Sequence, residues 1–259
     1  MEISAAVVER LQPVRDARGS GAIVFDPARL RQASAQMLEP AAWGDAARAV
    51  DSGGRGAAWF VHGEFGEGVL RHYRRGGLAA RVSERRYLWL GQSRVRALRE
   101  FRLLAQLRAL GLPVPAPLLA GWWRRGLTYR AAILVERIAS VCSLASWLPE
   151  AVEAAPWDTV GAMLARFHRA GLDHADLNAH NILVDAGGAA WLIDFDRGRL
   201  RAPAPAWQQA NLARLQRSLA KLSGPAGWQA GFSRLQAAYR QGLAGGRDSP
   251  SGQRPEAGA

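Results

Sequence analysis

Cysteine is almost absent from this chain of 259 residues, where Cys142 stands alone. A single thiol excludes an intramolecular disulfide and any zinc site built from several cysteines, which points to a reducing compartment. The plain role for such a residue is a small hydrophobe. No apolar run approaches the ~18 residues that a membrane-spanning helix needs. Met1-Glu-Ile-Ser4 lacks a basic region followed by an apolar core, so no secretory signal is visible. Lysine is nearly missing too. Lys221 is the only one, and the formal net charge of +12 is therefore carried almost wholly by arginine.

Such a balance suits nucleic acid, an anionic membrane surface or a phosphorylated substrate, and charge alone does not choose among them. With 49% hydrophobic and 22% charged residues the chain has enough apolar material for a core. Its length fits one large domain or two lobes sharing a cleft.

Residues 1–45 read as an N-terminal extension without evident chemistry. Asp26-Pro27 predicts a helix start, with Asp as cap and Pro in the first turn, running to about Leu38. Residues 46–78 read as strands joined by turns. Gly53-Gly-Arg-Gly56 is a glycine turn before the apolar run Ala57–Val61, and Glu64–Gly68 is the next turn before the strand Val69–Tyr73. In a kinase N-lobe such glycines let backbone N–H groups approach ATP phosphates, which makes Gly54, Arg55 and Gly56 candidate nucleotide contacts. A plain hairpin turn explains the same residues, and no third glycine follows.

Ser93 is placed to cap a helix reaching about Leu110, whose Val95, Leu98, Phe101, Leu104 and Leu107 form an inward stripe. Glu100 lies on the shoulder of that stripe, in position to pair with Arg71 or to be a solvated helix charge. Leu112–Pro117 is an extended, proline-bound connector. Ala131–Val135 is a buried strand, and the following Glu136 stands where a two-lobed kinase crosses its hinge. Short helices are expected over Ser143–Leu148 and Pro156–Ala170, the latter with Gly171 as C-cap and His168 as a packing residue. Two more are expected over Trp207–Leu222 and Trp228–Leu243, and the composition from Gly245 onward predicts a disordered tail.

Most of the chemistry is concentrated in His174-Ala-Asp-Leu-Asn-Ala-His-Asn181 and Trp191-Leu-Ile-Asp-Phe-Asp196. Between them, Ile182–Val184 and Ala190–Ile193 read as short strands around a tight turn at Asp185-Ala-Gly-Gly188. The pattern H-x-D-x-x-x-x-N followed by D-F-x is the layout of phosphoryl transfer. Asp176 is then the base for the attacking hydroxyl, and Asn181 and Asp194 are oxygen ligands for Mg²⁺, which favours few protein oxygens beside phosphate and water. His174 reads as scaffolding. A metal site of His174, Asp176 and His180 is the rival reading, but its spacing matches no common zinc pattern.

The run Leu70-Arg-His-Tyr-Arg-Arg-Gly-Gly-Leu78, the pair Glu100-Phe101, the connector Gly111–Pro115, the loop His174–Asn181 and Leu192-Ile-Asp-Phe-Asp196 together resemble the Kdo kinases of the lipopolysaccharide kinase family. Here Kdo is 3-deoxy-D-manno-octulosonic acid. Asn211-Leu-x-Arg-Leu-x-Arg-Ser218 is similar to the C-terminal helix of that family. The resemblance implies an α+β, two-lobed protein-kinase-like fold. The small β-rich N-lobe would span 46–136, the mainly helical C-lobe 137–244 and the tail 245–259. It also implies ATP and Mg²⁺ as cofactors and phosphorylation of the Kdo 4-hydroxyl on a lipid A precursor, at the cytoplasmic face of the inner membrane. By position Asp176 is the catalytic aspartate, Asn181 and Asp194 the magnesium ligands and Glu100 the helix glutamate, with Glu136 at the hinge.

Arg71 stands where protein kinases have lysine, offering a planar fork in place of a point charge. Ten arginines between Arg71 and Arg102 suit an anionic glycolipid in an anionic leaflet, and Tyr87-Leu-Trp-Leu90 among them is placed either to enter the interface or to serve as core. Other readings are a kinase of heptose in the lipopolysaccharide core or of a hydroxylated antibiotic, a non-catalytic nucleotide-binding scaffold, and a basic nucleic-acid binder. The last ranks lowest because no nucleic-acid-binding motif is present.

Overall fold

The computed structural model describes residues 8–50, 58–73, 86–148, 151–223 and 227–245. Two compact units emerge: one holds Met1–Val141 with His174–Asp176 and Trp191–Arg199, the other Cys142–Asp173, Leu177–Ala190 and Leu200–Ala259. Both segments that carry the acidic motif residues Asp176 and Asp194 therefore belong with the N-terminal unit.

In the first unit the strands are β1 (Arg10–Asp16), β2 (Gly19–Phe25), β3 (Ala47–Ala49), β4 (Ala58–Gly63), β5 (Gly66–His72), β6 (Tyr87–Leu88), β7 (Pro117–Arg125) and β8 (Thr128–Glu136). They form one sheet in the order β1-β2-β7-β8-β5-β4-β3, with β6 also on β8. All the recorded pairings are antiparallel, with Leu70 opposite Leu134 and Arg71 opposite Ile133. Successive side chains on a strand face opposite ways. One face of the sheet accordingly buries Ile23, Phe25, Leu70, Leu119, Trp123 and Leu134 under Leu30 and Leu38. On β5, Leu70 belongs to that face, so Arg71 points to the other. Helix α1 (Arg96–Ala109) packs on β7 and β8 and buries Leu98, Phe101, Leu104 and Leu107, the stripe read from their spacing.

Two local expectations differ from the structure. The helix expected from Asp26 to Leu38 is broken into two short turns: Asp26 accepts from Ala28 N–H at 2.9 Å and its carbonyl from Leu30 N–H at 3.0 Å, and Ala35–Leu38 forms a 3₁₀ turn. Leu30 and Leu38 both reach the sheet core along this irregular path, so tertiary burial overrides the local helix signal. Ser93 does not cap α1, because Gln92–Arg94 is a separate 3₁₀ turn and Val95 is the N-cap. The Tyr129 hydroxyl accepts from Arg96 N–H at 3.3 Å, satisfying one orphan donor there. Strands β1, β2 and β7 carry no counterpart in the sequence reading.

The second unit contains β9 (Val141–Ser143), α2 (Leu144–Trp147), α3 (Trp157–Arg169), β10 (Leu172–Asp173), β11 (Ile182–Asp185), β12 (Ala190–Leu192), β13 (Arg199–Leu200), α4 (Pro205–Ser223) and α5 (Trp228–Ala244), with the outer residues of β9, β12 and β13 falling in the first. Helices α3 and α5 pack so closely that a Cβ on Gly161 would lie 2.2 Å from the Leu235 carbonyl oxygen. Buried His168 joins them through a 2.7 Å hydrogen bond between Nδ1 and the Tyr239 hydroxyl, which confirms it as a packing residue. Gly171 ends α3 at φ 85°, in the left-handed region expected of that cap. Its carbonyl accepts from Arg201 N–H at 2.9 Å. The turn at Asp185–Gly188 closes as read, with Gly188 N–H donating to the Asp185 carbonyl at 3.1 Å. Apart from Gly245, the expected tail lies outside the described residues.

Candidate active site

Alternation along β5 decides the first contact. Arg71 and Tyr73 are two residues apart and face the same way, towards α1. There Glu100, only 3% exposed, receives both. Arg71 Nη2 donates to Glu100 Oε1 at 2.5 Å and Oε2 at 2.7 Å, and the Tyr73 hydroxyl donates to Oε2. The second nitrogen of the fork, Nη1, donates to Asp194 Oδ1 at 2.5 Å. One guanidinium thus bridges the helix glutamate and the first aspartate of Asp194-Phe-Asp196. A lysine has no planar fork with which to do this.

Burial pushes the Glu100 carboxyl above its usual value, and the Arg71 charge opposes that rise. Burial would lower the Arg71 guanidinium, but the charges of Glu100 and Asp194 outweigh it and hold the group above its ordinary value. For Asp194 burial acts upward, and the charge and hydrogen bond of Arg71 overcome it, leaving this carboxyl below the usual range. Asp194 also sits at φ 64°. Asp tolerates that region better than most side chains, yet a non-glycine residue there stores strain on the order of 1 kcal/mol.

The following residues fix this segment to α1. Arg96 Nε donates to Asp196 Oδ1 at 2.6 Å, Nη2 donates to Oδ2, and Nη1 reaches the Tyr87 hydroxyl at 2.8 Å. Leu192 N–H donates to the Pro113 carbonyl at 3.1 Å, tying the motif to the connector. Phe195 is buried and meets the His174 ring edge-on at 5.2 Å.

His174 orders the loop that carries Asp176. Its Nδ1 accepts from Asp176 N–H at 3.3 Å, which makes Nε2 the donor to the Ile193 carbonyl at 3.0 Å. Both ring nitrogens are committed, which leaves none for a metal in the rival site. Burial lowers the pKa of this imidazole. Asp176 itself is exposed. Farther along, Asn178 caps the short turn Ala179–Asn181, its side chain accepting from His180 N–H at 2.9 Å and Asn181 N–H at 3.2 Å. Asn181 is buried at the start of β11.

Of the residues singled out in the sequence, Arg71, Glu100 and Asp194 are brought together. Asp176 is coupled to the same segment through His174, and Asn181 stands at the hairpin entry. Glu136 ends β8, and its carboxylate accepts from Ala116 N–H at 3.1 Å and pairs with Arg108 at 3.5 Å and Arg29 at 3.6 Å. Gly54, Arg55 and Gly56 lie outside the described residues. Sequence reasoning missed the roles of Tyr73, Arg96 and Asp196. Their signals were the two-residue spacing Arg71/Tyr73 on a strand and the four-residue spacing Arg96/Glu100 on a helix.

The model of the lipopolysaccharide kinase (Kdo/WaaP) family matches residues 40–239. The chain is 60% identical over 222 residues to a protein of Xanthomonas campestris pv. campestris (strain B100) named 3-deoxy-D-manno-octulosonic acid kinase, covering 86% of this chain and 89% of the relative. A protein of that name from Xanthomonas axonopodis pv. citri (strain 306) is also 60% identical, with the same coverage. One from Stenotrophomonas maltophilia (strain R551-3) is 59% identical over 216 residues, 83% of this chain and 87% of the relative. With matches of this extent, the chain belongs to the lipopolysaccharide kinase (Kdo/WaaP) family, of two-lobed α+β kinase-like fold.

Proposed function

We propose that this protein transfers the γ-phosphoryl group of ATP to the 4-hydroxyl of Kdo on a lipid A precursor in lipopolysaccharide synthesis. The observation that carries the reading is the bridge from Glu100 through Arg71 to Asp194, made in a chain of this family. Phosphoryl transfer is mostly positioning and charge stabilisation, and this bridge places a doubly anchored cation beside a carboxylate. The proposed base, Asp176, accepts the proton of the attacking hydroxyl as the new O–P bond forms and the bond to the β–γ bridging oxygen of ATP breaks. His174 holds the backbone of that residue and is not itself a proton carrier in this scheme.

The donor set suits Mg²⁺. Arg71 occupies Asp194 Oδ1, and Oδ2 has no hydrogen bond among the described residues. Asn181, the other ligand that the resemblance implies, carries an amide oxygen, also a hard donor of the kind magnesium takes beside phosphate oxygens. Bound there with ATP, the ion would neutralise charge on the phosphates. Arg71 is the proposed phosphate-facing cation from the protein.

We place the protein on the cytoplasmic face of the inner membrane as a peripheral protein. No described helix is long and apolar enough to cross a membrane. Leu88, Leu90 and Leu127 are 59%, 68% and 79% exposed, and Trp89 N–H donates to the Leu127 carbonyl at 2.9 Å, so the two segments adjoin. Arg124 lies over the Trp89 ring at 5.2 Å, and Arg86, Arg94 and Arg125 are close in the chain. Apolar tips among arginines match an anionic interface.

Mass spectrometry of a Kdo-bearing lipid A precursor incubated with ATP and Mg²⁺ tests the activity. The expected product gains one phosphoryl group on Kdo. Transfer only to a heptose acceptor would replace the Kdo assignment. Asp176→Asn should cut turnover roughly 10²–10⁴-fold with the fold retained, whereas a non-catalytic scaffold predicts no change in cellular function.

A further inference from the structure

Helix α4 carries a cationic face that this mechanism leaves unused. Arg214, Arg217 and Lys221 follow one another at three- and four-residue steps, with Ser218 four residues after Arg214, which puts them on one side of the helix. Leu215 and Leu219 are fully buried and fix the rotation of α4, so the charged side is turned outward. With Asn178 and His180 they line a pocket of about 320 Å³. The wall is built rather than incidental: Ala179 N–H donates to Ser218 Oγ at 3.1 Å, and Asn178 caps the turn that follows. The helix is thereby bonded to the loop that begins at Asp176 in the chain.

The pocket gathers its cations without a counter-charge. Arg71, Arg96, Arg102, Arg201 and Arg234 each have a carboxylate partner. Arg214, Arg217 and Lys221 have none among the described residues, and the pocket lining contains no Asp or Glu. Three cations on successive turns repel one another, a cost that an anion in the pocket would reverse. The chain's only lysine is one of them.

We propose that this pocket is an acceptor-binding site, in which Arg214, Arg217 and Lys221 hold an anionic group of the glycolipid. The group is a phosphate or a carboxylate of the acceptor. The inference rests on the reading of the protein as a kinase of an anionic glycolipid.

The full chain and its Arg214→Gln/Arg217→Gln/Lys221→Gln variant test it, with Arg217→Gln alone as a milder second variant. Steady-state kinetics are compared on Kdo-bearing acceptors with and without lipid phosphates. The KM for acceptor should rise roughly tenfold or more, as expected for lost charged hydrogen bonds, with the KM for ATP and the thermal midpoint unchanged. A rise confined to the phosphorylated acceptor assigns the pocket to phosphate, and an equal rise on both assigns it to the Kdo carboxylate. Inorganic phosphate serves as a probe free of catalysis: it should raise the thermal midpoint of the wild type more than that of the variant. An unchanged acceptor KM, a shift in the KM for ATP, equal protection by phosphate, or a KM change that tracks lost binding to phosphatidylglycerol vesicles overturns the proposal. Failure of the kinase reading would look different, since the wild type would itself leave every Kdo acceptor unphosphorylated.

Discussion

Arg96 and Glu100 stand one turn apart on α1, and each reaches the segment that begins at Asp194. Arg96 grips Asp196 with both nitrogens of one edge of its fork, while Glu100 holds Arg71, which holds Asp194. The helix and the acidic motif are thus joined at two points in fixed register. Asp196→Asn should weaken the outer joint while leaving the inner one in place. Half-buried charged hydrogen bonds of this kind contribute about 1.5–3 kcal/mol. Urea unfolding of Asp196→Asn, Arg96→Met and the double variant should show a coupling on the order of 1 kcal/mol. Additive losses would mean that the two side chains do not act as a unit.

Replacing the bridging cation separates charge from geometry. Arg71→Met leaves Glu100 buried without its cation, which costs about 3–5 kcal/mol when one partner of a buried pair is removed. Arg71→Lys restores the charge but satisfies one carboxylate at a time, so stability should recover well above the Met variant while turnover stays depressed. Thermal melts alongside phosphoryl-transfer assays check this. Equal turnover in wild type and Arg71→Lys would show that the fork has no role beyond its charge.

His174 supplies a pH signature. Burial holds its imidazole below the ordinary value of 6.5, so as pH falls the unfolded chain takes up the proton first. The stability due to neutral His174 is full above that ordinary value and is lost as pH drops through the lowered one. Gln at this position keeps a donor for the Ile193 carbonyl without titrating. The stability gap between wild type and His174→Gln should therefore be constant above pH 6.5 and narrow as pH falls below it, read by denaturant unfolding at each pH. A gap independent of pH would remove the ring from the acid response.

The parts of this molecule that were legible in the sequence are those with short-range periodicity or spacing. The stripe on α1, the Gly171 cap and the turn at Asp185–Gly188 each follow from neighbours within a few residues. The motif around His174–Asn181 was legible because loop chemistry restricts residue type as well as spacing. What was not legible depends on distant partners. Strand β2 is held in the sheet by β7, nearly a hundred residues later, with β1 pairing on β2 alone, and the path from Asp26 to Leu38 is set by the sheet beneath it. Arg96 reads locally as one arginine among many, and only the fold delivers Asp196 to it, a hundred residues away.

The exposed leucines predict how the protein meets a bilayer. Leu90→Ser with Leu127→Ser removes apolar area at the tip near Trp89 without opening a core, since both side chains are more than two-thirds exposed. Burying a leucine in an apolar phase stabilises by about 1.5–3 kcal/mol. Cosedimentation with phosphatidylglycerol vesicles should therefore weaken at least tenfold, with the thermal midpoint unchanged. Binding that depends on salt but not on these two positions would locate the membrane contact elsewhere on the basic surface.

The seam between α3 and α5 leaves no space for a methyl group at Gly161. An added Cβ at Gly161 meets the Leu235 carbonyl oxygen at 2.2 Å and the Ala238 methyl at 3.1 Å. A backbone oxygen cannot swing aside as a flexible side chain does, so the two helices must separate. Overpacking of this kind costs typically about 1–3 kcal/mol, despite the higher helix propensity of alanine, which favours the variant by about 1 kcal/mol. Separation would also stretch the hydrogen bond between His168 Nδ1 and the Tyr239 hydroxyl, whose pKa burial holds at about 12. Gly161→Ala should therefore lower the unfolding midpoint and, because the tyrosine becomes wetter, move its phenol titration back towards 10.0, the ordinary value. Ultraviolet titration of Tyr239 against a Tyr239→Phe control reads the second effect. A midpoint at or above that of the wild type would show that helix propensity wins and that the seam has room to give.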